Sequence, residues 1–309
     1  MCEGMKQSTQ KVLTVILGVL SFPFFAAGIF NGREALVPEK QPELESFLAA
    51  AAAAEIPEEY PYEAVKAQVI LVRSRCYVKE ERGESTETVI RELVQEGKNA
   101  GASREESARC EQAVKETEDV VLKCGGKVVE GPFFRTGNGM TRSGKDIFQN
   151  DGYPWLVNVE SPWDIDSENY LSSISFSAEE LIRTLDEKEE AISEKMFGEE
   201  ERNEILSGNV GVEQVAEQIQ ITATDTAGYV TELTVGNLKI AGETFRELLG
   251  LPSSCFSVQT LDGKIRFLCQ GLGHGAGLSQ TGAAAMAEEG KSAVEILQYY
   301  FPMAAAKRK

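Results

Sequence analysis

The chain has 309 residues, 42% hydrophobic and 26% charged, the make-up of a folded protein rather than a disordered one. Its formal net charge of -18 excludes nucleic acid as a partner, because neutralising phosphates requires a basic footprint and the closing AAAKRK is too short to supply one.

Residues 12–30, VLTVILGVLSFPFFAAGIF, form a run of 19 residues without a charge. As a helix this run would be about 28 Å long at ~1.5 Å per residue, close to the ~30 Å of a bilayer core. Lys6 and Lys11 precede it, so the positive-inside bias predicts a cytoplasmic tail over 1–11, a transmembrane anchor over 12–30 and everything later outside the cell membrane. Ala26-Ala27-Gly28 would also suit cleavage of a signal peptide. Residues 31–42 read as a tether, and 43–309 as one α+β domain with helices first and a mainly antiparallel sheet after. Of six cysteines, Cys76, Cys110, Cys124, Cys255 and Cys269 fall outside, an odd number that leaves one unpaired. With one histidine and no C-x-x-C, the chain offers no usual zinc set, and no metal or cofactor is expected.

ELESFLAAAAAAEIP predicts a helix of strong formers that ends near Glu55-Ile56, because a residue before proline is pushed out of the α region. A second helix follows, with Val65, Val69, Val72 and Cys76 on one stripe and Lys66 and Arg73 off it. TETVIRELVQEG is a further amphipathic helix, and DVVLKCGGKVVEGPFF a hairpin about Gly125-Gly126. Ser177 and Glu180 open a helix as a capping box. YVTELTVGNLKIAG and CFSVQTLDGKIRFLCQ are strands, the second a hairpin turning at Asp262-Gly263. A three-residue loop there would set Cys255 opposite Cys269 and permit a bridge; a two-residue loop offsets them by one. After residue 279 the chain is helical, with a capping box at Ser292 and Glu295 and a stop at Pro302.

Gly271, Gly273, Gly275 and Gly277 recur at every second position around the lone His274. The stretch resembles a dinucleotide fingerprint, but only helices follow it, so the parallel strands of such a fold are missing. If the segment is extended, the glycines share a bare face that admits a packed element or a flat ligand ring.

GHGAGLSQTGAAAMAEEGKSAVEILQYYFP is similar to the closing motif of the stage II sporulation protein D (SpoIID/LytB) family. AAEIPEEYPYEAVKAQVILVRS resembles the family's other long block, with FFRTGNGMT, SPWD and AGETFRELLGLPSSCF between them in the expected order. The likeness runs over roughly residues 43–302. It implies a peptidoglycan lytic transglycosylase that cuts MurNAc-GlcNAc bonds of peptide-stripped glycan during engulfment in sporulation. Residue by residue it implies Glu55 as the catalytic acid, and Lys66, Gln68, Arg73, His274, Ser279 and Gln280 as glycan-binding positions. Glycan strands, a cell-wall amidase and a membrane scaffold protein are the partners it implies. Three positions depart from the pattern: Ile56 stands for methionine, while Pro252 and Tyr229 stand where arginine is common.

One carboxyl suffices for such chemistry. It protonates the glycosidic oxygen and then takes the proton of the muramyl C6 hydroxyl, which closes on C1, so no second carboxylate has to hold water. The helix end at Glu55 disfavours negative charge there, and the alanines before it are small enough to leave room for sugar. Read without the family, a glutamate beside proline is a solvated helix end. The alternative function is a non-catalytic wall-binding activator of an amidase.

Overall fold

The computed structural model describes residues 44–100, 104–188 and 196–309. The expected tail, anchor and tether lie outside these. Among the described residues no helix is long and apolar enough to cross a membrane.

Alanine sets the first contact of the fold. Helix α1 (Glu45–Glu55) buries Leu48 together with Ala49, Ala51, Ala52 and Ala53. Side chains this small let α3 (Thr86–Ala100) and α4 (Arg104–Glu116) come close, so neighbouring helices, not sugar, fill the room the alanines leave. The helix stops where expected: Ile56, ahead of Pro57, is extended. Between α1 and α3 runs α2 (Tyr62–Glu81), about 30 Å long at ~1.5 Å per residue. Val65, Val69, Val72 and Cys76 are buried as their spacing predicts, but so are Ile70, Leu71, Arg73 and Ser74 on its other sides. A helix buried all round is a central one.

The hairpin of β1 (Val120–Cys124) and β2 (Lys127–Val128) turns through Gly125 and Gly126, both left-handed, as a two-residue loop demands. After β3 (Phe133–Phe134) and the short α5 (Gly144–Phe148), a 3-10 turn over Pro162–Asp166 leads to β4 (Leu171–Phe176). Helix α6 (Ala178–Asp186) carries the Ser177–Glu180 capping box, and α7 (Glu199–Leu206) and α8 (Val212–Glu217) follow. Then come β5 (Ile219–Thr224), β6 (Val230–Val235), β7 (Leu238–Ala241), α9 (Gly242–Leu249), β8 (Phe256–Leu261) and β9 (Lys264–Gln270). The sheets β4-β9-β8 and β5-β6-β7 are antiparallel and enclose a core centred on Phe245, Phe256 and Phe267.

Strand β10 (Leu278–Ser279) pairs parallel with β3, and α10 (Gln280–Glu288) and α11 (Ala293–Tyr300) return to the helical core. Strand β11 (Ala305–Arg308) then lies antiparallel on β1, so the basic close of the chain is an edge strand rather than a loose tail. The described chain is thus α+β with mainly antiparallel sheets, and residues 44–309 make one unit.

The cysteine hairpin needs a correction. Asp262 and Gly263 are both left-handed and Leu261 pairs with Lys264, which makes a two-residue loop. Phe256, not Cys255, therefore stands opposite Cys269. Cys255 and Cys269 are both free thiols, and burial pushes them up, the latter to about 11.

Candidate active site at the end of helix α1

Glu55 is the last residue of α1, where helical carbonyls lose their partners. Gln280 supplies one: its Nε2 donates to the Glu55 carbonyl oxygen at 2.7 Å and reaches Gln68 Oε1 at 3.2 Å. Gln68 turns its own Nε2 to Glu55 Oε2 at 3.0 Å, and Arg75 Nη2 donates to Glu55 Oε1 at 2.7 Å. The carboxylate is held on two sides with its side chain 14% exposed. Two residues 225 apart in sequence, Glu55 and Gln280, thus meet at one point.

Three other expected glycan contacts are placed elsewhere. Residues two apart on a helix differ by about 200°, so Lys66 and Arg73 share the face of α2 opposite Gln68 and Arg75. Arg73 is fully buried there, with Nε and Nη2 on the two Glu45 oxygens at 2.8 and 2.9 Å. Its Nη1 donates to Thr117 Oγ1 and the Val120 carbonyl oxygen, and Nη2 also reaches the Val114 carbonyl oxygen. These bonds staple α2 to α1, α4 and β1; no donor is left over for a sugar. Lys66 bridges Glu63 and Glu116 at 2.6 and 3.1 Å. Burial works against its charge, but hydrogen bonds to both carboxylates outweigh it and raise its pKa. Ser279 is fully buried as the N-cap of α10, accepting from the Gly282 amide and donating to Asp164 Oδ1. Asp164 is itself buried, which raises the pKa of its carboxyl.

The glycine repeat is not extended. Gly271, Gly273, Gly275 and Gly277 are all left-handed, with φ between 76° and 118°. A Cβ on Gly277 would lie 2.0 Å from the Pro132 carbonyl oxygen, and one on Gly275 2.4 Å from the Tyr229 ring. The bare backbone is pressed against the strand before Gly137 and a buried tyrosine, not against a ligand. Tyr229, at a position of family arginine, also stacks under Arg142 at 4.9 Å, while the Pro252 carbonyl oxygen accepts from Gly273 N at 2.9 Å. His274 Nδ1 accepts from the Ala276 amide at 3.1 Å, and burial lowers its pKa. No contact joins it to the Glu55 cluster among the described residues. Nor, among them, do three His, Cys, Asp or Glu side chains stand where they could share a metal ion.

Arg75 is the site residue that sequence reading missed. Its signal is the seven-residue step from Gln68, which sets both on one helical face.

A family model described as stage II sporulation protein matches residues 34–123. The chain is 29% identical to stage II sporulation protein D of Bacillus amyloliquefaciens over 84% of its length and 72% of that protein's. Stage II sporulation protein D of Bacillus subtilis (strain 168) gives the same identity and the same shares. An uncharacterised protein of Brachyspira hyodysenteriae is 34% identical over 27% of this chain and 23% of its own.

Proposed function

We propose that this relative of the stage II sporulation protein D family is a membrane-anchored, outward-facing lytic transglycosylase acting on peptide-stripped glycan in sporulation. The observation that carries the reading is the Glu55 cluster: a partly open carboxylate whose position is fixed from two directions by Gln68 and Arg75. Fixing a catalytic group in advance removes the cost of orienting it during reaction. In the proposed sequence Glu55 carries a proton to the glycosidic oxygen as the bond to C1 breaks. The resulting carboxylate then accepts the proton of the muramyl C6 hydroxyl while that oxygen bonds to C1. The ion pair with Arg75 favours the ionised form that the second half starts from, and it must loosen for that carboxylate to take up the proton. In the first half Arg75 has to give up that pair, and arriving substrate is what would displace it.

The same ion pair also favours a second reading. A carboxylate engaged by arginine is what a non-catalytic wall-binding activator of an amidase would keep for structure alone. Product analysis separates the two. Wild-type protein on peptide-free strands should yield 1,6-anhydro-muramic ends, and Glu55→Gln should bind the strands yet release at least ~100-fold less. Reducing ends would mean hydrolysis, and equal release by both proteins would leave Glu55 without the role given it.

A further inference from the structure

Arg135 lies beside this cluster and has no partner to match its charge. Its carbonyl oxygen accepts from Thr281 Oγ1 at 3.0 Å and from the Thr281 amide at 3.0 Å, so its backbone is fastened next to Gln280. Its guanidinium sits 5.8 Å from the centre of the Tyr60 ring, on the loop that follows Glu55. That loop is itself held: Arg109 donates to the carbonyl oxygens of Glu58 and Tyr60, and Tyr60 Oη lies 3.4 Å from Thr281 Oγ1. Among the described residues the Arg135 guanidinium makes no hydrogen bond or ion pair, and its Nη1 is buried without a partner. A buried donor without a partner needs an explanation, and a bound acceptor is one that fits a guanidinium beside the Glu55 cluster.

We infer that Arg135, steadied on Tyr60, binds the lactyl carboxylate of the muramyl residue whose bond is cut. This rests on the glycan reading above. A muramyl ring bears a lactyl ether at C3, which ends in a free carboxylate once the stem peptide is removed and in an amide while the peptide remains. The planar guanidinium matches a carboxylate through two parallel N–H donors, whereas an amide offers one acceptor and no charge. Arg135 thereby turns the presence or absence of a peptide into a difference in affinity at a ring next to Glu55. It is a specificity-determining residue, not a proton donor.

The test measures binding in a Glu55→Gln background, where nothing is cut. The probes are peptide-free glycan strands and the same strands with their lactyl carboxylates converted to methylamides. The Glu55→Gln protein should bind the acid strands at least tenfold tighter, or about 1.4 kcal/mol. Adding Arg135→Gln should bring the ratio to within about twofold, and Arg135→Lys should keep part of it, as a point charge without the fork does. Because each variant is its own reference across the two probes, a loss of folded protein cancels. A ratio that Arg135→Gln leaves unchanged overturns the assignment, and so does equal binding of both probes before Arg135 is touched. Wild-type protein that binds with the acid preference but cuts nothing sinks the transglycosylase reading and leaves Arg135 standing.

Discussion

The two polar faces of helix α2 use the same residue types to opposite ends. On one, Arg73 has every donor used by Glu45, Thr117 and carbonyl oxygens, and Lys66 bridges two acids, so both hold the helical core together. On the other, Gln68 and Arg75 converge on a single carboxylate that keeps a window to solvent. An arginine's place in a helix therefore says little of its task until its partners are counted. Where every donor is used in the core the residue builds, and where one donor meets a partly open acid it can serve chemistry.

The sharpest break of this contrast is Arg73→Ala. Removing a fully buried guanidinium leaves Glu45 uncompensated and three acceptors unpaired, so stability should fall by about 3 kcal/mol or more. Denaturant unfolding reads it, and a loss under 1 kcal/mol would erase the distinction between the faces. Arg75→Gln should do the reverse: unfolding shifts by no more than about 1 kcal/mol, since the pair is partly solvated, while turnover falls about tenfold or more. Equal turnover with lowered stability would make Arg75 another staple. Lys66→Ala should cost at most about 1 kcal/mol, with glycan affinity within twofold of wild type. A clear loss of affinity would return Lys66 to the glycan set.

His274 belongs to neither face and offers the smallest effect. Burial lowers its pKa, so near pH 6 the unfolded chain binds more of this proton than the folded one. The stability it allows is present above the unfolded value of about 6.5 and is lost as pH falls toward the lower folded value. His274→Gln should flatten that part of the stability curve, and parallel curves for the two proteins would count against it.

Local features were legible in the sequence. The stop of α1 at Ile56, the capping boxes at Ser177 and Ser292 and the turn at Gly125-Gly126 each follow from neighbours within four residues. Glu55, Gln68 and Gln280 were singled out through a motif, and in the structure they meet as a set. Arg73 and Arg75 could not be sorted, because their surroundings are made by α4, β1 and α1, which come from other parts of the chain. The glycine repeat misled for a related reason. Alternation suggests extension, but the close approach of Pro132 and Tyr229 decides the left-handed backbone, and neither is nearby in sequence. At the cysteine hairpin the turn was placed correctly, and its length set the register.

The core that surrounds α2 is assembled from two distant stretches. Leu48, Val89 and Leu93 come early, while Ile296, Leu297, Tyr300 and Phe301 come after strands β4 to β9. During synthesis from the N-terminus, the first helices would emerge without the residues that cover them. Gln280 can reach Glu55 only after the 225 residues that separate them have been made. Contacts this far apart in sequence close late and slowly. A partly made chain would hold Glu55 on a helix with a frayed end and no Gln280 to cap it. The order of translation thus acts as a delay on the site, which becomes whole only once the sheets encoded between its two halves exist.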